Sequence, residues 1–196
     1  KTLQTMMRMI DEKKVGDLVS IWSRRLARKN PARQRTGWRG DPRCSGGILF
    51  EINCHELDWM MWLGGEVRSV YAHKYAEDDS YERANDHVWV MLQFEAGAVG
   101  THEGSWIASQ ANYYRGIQGT RATLDTEEWG NNLRFTALGE DRVDVELGEA
   151  FDLRGHFLDC IEDGAEPVAD VEWGRKVMTV ADAAIDSAIT GQPVQL

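Results

Sequence analysis

The chain has 196 residues, which is the usual size of one domain. Its 22 lysines and arginines are outnumbered by 32 aspartates and glutamates, so the net charge is −10. Such an acidic surface repels phosphate backbones and anionic lipids, which excludes nucleic acid and membrane surfaces as the expected partners. Hydrophobic residues make up 42% of the chain, enough to bury a core.

Two features of the sequence favour a cytoplasmic location. No segment approaches the ~20 consecutive apolar residues that a membrane-spanning helix requires. The cysteines, Cys44, Cys54 and Cys160, lie far apart and are odd in number, which favours a reducing compartment over a disulfide framework. Since no two of them have zinc-ligand spacing, no metal site is expected.

Hydrophobic spacing in the first third of the chain predicts a helix over 3–14 and a strand over 17–27. Residues 29–45 are rich in arginine, glycine and proline, which predicts a loop. A helix is expected to follow two glycines and to run to about Leu63, where a second pair of glycines ends it.

The rest of the chain is predicted to form a series of strands and then two helices. The predicted strands are 66–76, 86–94, 98–108, 112–119, 120–125, 132–137 and 142–147. The predicted helices are about 150–163 and about 171–189, each ended by a glycine.

The strand over 86–94 carries apolar side chains on both of its faces. One face holds Val88, Val90, Leu92 and Phe94, and the other holds Trp89 and Met91. A sheet that is apolar on both sides needs a cover on both sides. The few predicted helices can cover only one side, so a partner subunit is the expected second cover.

Three polar residues of the predicted middle helix share one stripe. Glu51 and His55 are four residues apart, and Asp58 follows three residues later. A carboxylate one turn from an imidazole can orient it and raise its basicity, as a general base requires. The alternative is an ordinary Glu–His pair on a helix surface. The other histidines, which we expect to be surface residues of strands or helices, are His73, His87, His102 and His156.

One segment of this acidic chain is strongly basic. It could bind an anion, either a substrate carboxylate or a cofactor phosphate, or it could be a solvated loop. Its cations are Arg24, Arg25, Arg28, Lys29, Arg33, Arg35, Arg39 and Arg43.

Three stretches, in this order and spacing, resemble the C-terminal, substrate-binding domain of the Gfo/Idh/MocA oxidoreductases. The first is 16–20; the second is 38–41 and 45–65; the third runs from 157 to 191. This resemblance implies that residues 1–196 form one α+β domain. Its sheet is expected to be open, mixed and mostly antiparallel, with helices on one face and subunit contacts on the other.

The resemblance also implies an activity. Family members transfer a hydride between NAD or NADP and a hydroxyl-bearing carbon of a sugar, cyclitol or related polyol, and His55 matches the histidine that exchanges the hydroxyl proton. The acidic residue four positions before that histidine is most often aspartate, and here it is Glu51. The substrate-binding residues that it implies are Trp38, Arg39, Asp41 and Asp58.

The N-terminal Rossmann domain of this family, with its glycine-rich turn, is absent from the sequence, so no cofactor-binding residue is assigned. We therefore expect the full-length protein to be a homo-oligomeric dehydrogenase and the chain alone to be inactive. The alternatives are an NAD-dependent glycosidase or epimerase of the same family, a non-catalytic dimerising module, and a polyanion-binding module that uses the arginines.

Overall fold

One mixed sheet organises the computed structural model, which describes residues 1–28, 37–126 and 132–196. In this part of the chain the sheet has nine strands in the order β8-β7-β6-β5-β1-β4-β3-β2-β9. β1 pairs with β4 in parallel, and every other neighbouring pair is antiparallel. The predicted fold class, an α+β domain with an open and mostly antiparallel mixed sheet, is therefore confirmed.

The strands agree with the predicted ones to within about two residues, and the short β9 was not predicted. The strands are β1 (Leu18–Arg28), β2 (Val67–Tyr75), β3 (His87–Phe94), β4 (Val99–Ala108), β5 (Asn112–Gly119), β6 (Ala122–Thr126), β7 (Leu133–Ala137), β8 (Val143–Val145) and β9 (Val194–Gln195).

Each predicted helix is present, and a short helix and a 3₁₀ turn also form within the predicted loop over 29–45. The helices are α1 (Thr2–Asp11), α2 (Pro42–Ser45), α3 (Cys54–Gly64), α4 (Leu153–Glu162) and α5 (Val171–Thr190). A 3₁₀ turn over Gly37–Arg39 precedes α2, and a π-helical turn over Leu49–Asn53 leads into α3. Residues 29–36 of the predicted loop lie outside the described residues.

The two faces of the sheet differ in burial, although β3 carries apolar side chains on both. Val88, Leu92 and Phe94 are almost completely buried, whereas Trp89 and Met91 on the opposite face are 46% and 50% exposed. The buried side packs against side chains of α1, α3 and α5 in one core. The helices therefore cover one face, and the described residues leave the other face open.

Small residues of α5 let it lie close to β2. Val177, Ala181 and Ala184 are buried, and the Ser187 hydroxyl accepts a hydrogen bond from the Ala72 backbone N–H at 3.0 Å. α4 behaves differently, since none of its residues is buried and Phe157 is 63% exposed. α4 thus contributes little to the core.

The start of the helix that carries the predicted site is held by Asn85. Gly46 and Gly47 have φ angles of 73° and 79°, and a Cβ on Gly47 would lie 2.3 Å from the Asn85 amide nitrogen. That nitrogen donates to the Gly46 carbonyl at 2.8 Å, and the amide oxygen accepts from the Leu49 N–H at 2.9 Å. Both glycines are therefore required for this close approach. Among the described residues, no helix is both long and apolar enough to cross a membrane.

Candidate functional site

The predicted proton-transfer residue, His55, lies in the first turn of α3 with its side chain in solvent. In the described part of the chain it has no hydrogen-bond or ion-pair partner. Glu51, in the preceding π-helical turn, is 11% exposed and accepts from Arg39 Nε at 2.9 Å. No hydrogen bond joins Glu51 to His55, because a π-helical turn breaks the α-helical spacing and a guanidinium already holds the carboxylate. The imidazole is thus left accessible.

Arg39 links Glu51 to Trp38. The guanidinium carbon of Arg39 lies 5.1 Å from the Trp38 ring centroid, a cation–π contact, and the Trp38 side chain is 58% exposed. The structure therefore brings Trp38, Arg39 and Glu51 together.

The other two predicted substrate-binding carboxylates already have protein partners. Asp41 caps α2 and accepts from the Arg43 N–H at 2.9 Å. Asp58 accepts from the Trp173 indole N–H at 2.6 Å, which ties α3 to α5. Both contacts give these carboxylates structural roles that spacing alone did not predict.

A buried carboxylate that the sequence analysis missed, Glu56, follows His55 directly. Its side chain is completely buried and accepts six hydrogen bonds from described residues of β1, β5 and its own helix. The donors are Ser23 Oγ (2.7 Å), Trp59 Nε1 (2.7 Å), Arg25 Nη1 (3.1 Å), Tyr113 OH (3.1 Å), Arg115 Nε (3.1 Å) and Arg115 Nη2 (3.0 Å). We call Glu56, Arg25, Tyr113 and Arg115 the arginine–glutamate cluster.

This carboxylate is ionised despite its burial. Burial alone would raise the pKa of Glu56, but the Arg115 charge and the hydrogen bonds from Trp59 and Ser23 outweigh it, so the pKa lies below its usual value. A signal was present in the sequence: Glu56 is a charged residue three positions before a tryptophan, on a helix face that is otherwise apolar.

His102 on β4 is the one histidine whose predicted surface position is wrong, since it is 2% exposed. It lies on the core face of the sheet, where the Ser23 hydroxyl contacts its Nδ1 at 3.2 Å. Within the described residues its Nε2 has no hydrogen-bond partner, and neither does the fully buried amide of Asn53. A Cβ on Gly104 would lie 1.5 Å from Asn53 Nδ2 and 2.7 Å from His102 Nε2, so this glycine makes room for both groups.

We expect His102 to make the protein less stable in mild acid. Burial, opposed by the Glu56 charge, lowers its pKa from 6.5 to about 4. Between these values the unfolded chain binds the proton and the folded chain does not. Stability is therefore complete above pH ~6.5 and falls by about 3 kcal/mol as the pH drops to ~4.

Urea unfolding between pH 7 and pH 4 would test this prediction. In the His102→Gln variant the free energy of unfolding should change much less with pH in this range. His73→Gln, at an exposed position on β2, should keep the pH dependence of the wild-type protein. Equal slopes for wild type and His102→Gln would show that His102 is not the titrating group.

The described residues do not form a phosphate-binding turn for a dinucleotide. The sequence has no Gly-x-Gly-x-x-Gly. The glycine pair before α3 is the nearest equivalent, but Asn85 occupies the space and the donors there. The described side chains also include no group of three or more His, Cys, Asp or Glu residues placed to hold a metal ion.

The structure has an open mixed sheet with helices on one face, and an accessible histidine lies at the start of one of these helices. Both features are those of the α+β domain that the sequence resembles. Residues 3–125 match the family model of the GFO/IDH/MocA C-terminal domain, and the chain belongs to this family.

Two curated relatives are similar to the chain in sequence. D-xylose 1-dehydrogenase (NADP(+)) 2 of Haloferax volcanii is 27% identical in an alignment of 168 residues that covers 81% of this chain and 50% of that protein. The scyllo-inositol 2-dehydrogenase (NAD(+)) of Bacillus subtilis is 26% identical in an alignment of 165 residues that covers 78% of this chain and 48% of that protein. The chain thus spans about half the length of these relatives.

A solved structure supports the fold. Levoglucosan dehydrogenase in complex with NADH and levoglucosan is 20% identical and has a TM-score of 0.83, over 99% of this chain and 63% of that one.

Proposed function

We propose that this chain is the substrate-binding and dimerisation domain of an NAD(P)-dependent oxidoreductase that acts on a hydroxyl of a sugar, cyclitol or related polyol. The observation that carries this proposal is the accessible, unpartnered His55 at the start of α3, within the described residues of a GFO/IDH/MocA domain. The names of the curated relatives, a xylose and an inositol dehydrogenase, support the substrate class.

His55 is the proton-transfer residue of the proposed reaction. A nicotinamide bound by a part of the protein outside this chain would supply the hydride acceptor for oxidation and the hydride donor for reduction. The neutral imidazole of His55 takes the proton of the substrate hydroxyl during oxidation, and the imidazolium returns it during reduction. Because no described side chain occupies its ring nitrogens, the imidazole is free to bind the hydroxyl.

The neighbouring residues shape the substrate side of the site. The exposed ring of Trp38 offers an apolar surface to the C–H groups of a sugar, and Arg39 holds Glu51 in place. Asp41 and Asp58 remain predicted substrate contacts. A substrate hydroxyl that binds Asp41 would share its carboxylate with the Arg43 N–H, and one that binds Asp58 would share it with the Trp173 indole N–H.

The absorbance of the reduced nicotinamide tests the proposal. The longer protein that contains this chain is mixed with NAD⁺ or NADP⁺ and a panel of polyols that includes D-xylose and scyllo-inositol. We expect reduction of one cofactor by at least one polyol. Conversion of a sugar without a net absorbance change would instead support the glycosidase or epimerase alternative, and no conversion at all would support the non-catalytic one.

The open face of the sheet supports dimerisation. It carries a groove of about 450 Å³ whose lining includes Trp22, Tyr71, Trp89, Met91 and Tyr114. A second copy of the chain placed on this face would bury these aromatic side chains. We therefore propose that the open face is the homodimer interface.

The double variant Trp89→Glu/Met91→Glu is expected to convert the dimer to a monomer, because it puts four like charges into the two-fold interface. Light scattering at micromolar concentration measures the mass. The control is Leu138→Glu, at an 89% exposed position outside the groove, which should leave the dimer intact. A monomeric wild-type protein would contradict the interface.

A further inference from the structure

The arginine–glutamate cluster has more positive charge than negative charge. Arg25 and Arg115 both bind the carboxylate of Glu56, and one carboxylate neutralises only one of them. His102 adds no further positive charge, since burial lowers its pKa to about 4 and it is neutral at pH 7. Arg25 and Arg115 also repel each other, which contributes with burial to a lowered pKa of Arg115. Among the described residues of the cluster, one positive charge is therefore left without a counter-ion.

Both guanidinium groups keep hydrogen-bond donors that no described residue uses. Arg25 binds Glu56 through Nη1, which leaves its Nε and Nη2, and Arg115 binds it through Nε and Nη2, which leaves its Nη1. The side chains of Arg25 and Arg115 are 35% and 16% exposed, so neither arginine is fully buried.

Tyr113 holds the two guanidinium groups in place. Its ring centroid is 5.5 Å from the guanidinium carbon of Arg25 and 4.4 Å from that of Arg115. Stacking on an aromatic ring fixes the plane of a guanidinium, and a fixed plane favours paired hydrogen bonds to a carboxylate or phosphate. The cluster is thus preorganised for an oxyanion.

The cluster also lies beside the proposed proton-transfer residue. Glu56 follows His55 in the chain, so their Cα atoms are about 3.8 Å apart. Arg25 Nη1 is 3.1 Å from the Glu56 carboxylate. The arginine–glutamate cluster and His55 are therefore connected through adjacent residues of α3.

We propose that Arg25 and Arg115 bind an anionic group of the substrate, so that the site selects an acidic sugar or polyol bearing a carboxylate or a phosphate. This inference rests on the proposed function, because it assumes that the substrate presents its hydroxyl to His55. The anion supplies the missing negative charge, and the hydroxyl then lies at the other end of the molecule, toward α3.

Isothermal titration calorimetry tests this inference without turnover. The longer protein that contains this chain is titrated with glucuronate, glucose 6-phosphate, glucose and inorganic phosphate. A charge-assisted hydrogen bond is worth enough to make one of the two anionic sugars bind about 10- to 100-fold more tightly than glucose. The tighter of the two identifies the anionic group as a carboxylate or a phosphate.

Variants of two adjacent arginines of β1 provide the matched comparison. Arg25→Gln should remove the preference for the anionic sugar and leave the affinity for glucose unchanged. Arg25→Lys keeps a positive charge beside Glu56, so this variant should still fold. It should lose part of the preference for the anionic sugar over glucose. The control is Arg24→Gln, because Arg24 pairs with Glu103 and lines the groove on the open face of the sheet.

Three results would overturn the inference: equal binding of the anionic sugars and glucose, equal losses in Arg25→Gln and Arg24→Gln, or binding of inorganic phosphate as tight as that of glucose 6-phosphate. Reduction of NAD⁺ or NADP⁺ by a neutral polyol alongside any of these results would leave the proposed oxidoreductase function intact. Failure of every polyol, neutral or acidic, to reduce either cofactor would count against the proposed function itself.

Discussion

Glu56→Gln is expected to lower the free energy of unfolding by about 3–5 kcal/mol. The carboxylate of Glu56 is completely buried, and it is the only partner that the described residues give to the Arg115 guanidinium in a hydrogen bond or ion pair. A neutral amide leaves this charge without a counter-ion, and its own N–H₂ group faces donors instead of acceptors. Urea unfolding at pH 7 measures the effect.

The control for this variant is a carboxylate in an exposed ion pair. Glu95 pairs with Arg68, and both side chains are more than half exposed, so Glu95→Gln should change the unfolding free energy by less than about 1 kcal/mol. If Glu56→Gln were no more destabilising than Glu95→Gln, the cluster would not hold α3 to the sheet.

In the wild-type protein, acid should lower the free energy of unfolding as the Glu56→Gln substitution does. The pKa of Glu56 in the folded protein lies below its ordinary value of 4.5, so its stabilising contribution is present above pH ~4.5 and is lost as the pH falls through the folded value. The pH range in which Glu56 loses its stabilising contribution lies below the range in which His102 does. One series of unfolding measurements over pH can therefore distinguish the two contributions.

His55→Asn is expected to reduce kcat by about 10²–10⁴-fold in the longer protein that contains this chain, because an amide cannot take up the hydroxyl proton. KM should change little, since asparagine can still hydrogen-bond to a hydroxyl. The free energy of unfolding should stay within about 0.5 kcal/mol of the wild-type value, because the side chain is exposed and unpartnered within the described residues.

A matched histidine elsewhere shows whether the loss is specific. His156 on α4 binds the Val168 N–H at 3.2 Å and is not part of the proposed site, so His156→Asn should keep kcat near the wild-type value. Turnover of His55→Asn within a few-fold of wild type would remove His55 from the reaction.

The described part of α3 directs three nearby side chains to three different surroundings. His55 faces solvent, Glu56 binds strands β1 and β5, and Asp58 binds Trp173 of α5. The contacts of Glu56 and Asp58, which both follow His55 in α3, fix the helix that carries it. This arrangement explains why a change at Glu56 should affect both stability and the position of the proposed proton-transfer residue.

Local patterns in the sequence predicted the parts of the fold that depend on local spacing. Hydrophobic alternation predicted β3 and the two sets of residues on its faces, and hydrophobic spacing predicted α5. The resemblance to the Gfo/Idh/MocA family supplied the sheet type and the expected role of His55, whereas the flanking glycines predicted the helix that carries it.

The arginine–glutamate cluster could not be predicted in the same way. Glu56 binds Arg25 and Arg115 across separations of 31 and 59 residues, and only the pairing of β1 with β5 brings these two arginines together. The burial of His102 depends likewise on α3 covering β4. Charged residues in strands and helices usually indicate solvent exposure, so these positions misled the sequence analysis.

A crystal structure of the longer protein with a nicotinamide cofactor and a bound polyol tests the central claim most directly. The account predicts that the reacting hydroxyl oxygen lies about 2.6–3.2 Å from a ring nitrogen of His55. A polyol bound with all its hydroxyls beyond reach of His55, directly or through one water, would contradict the account.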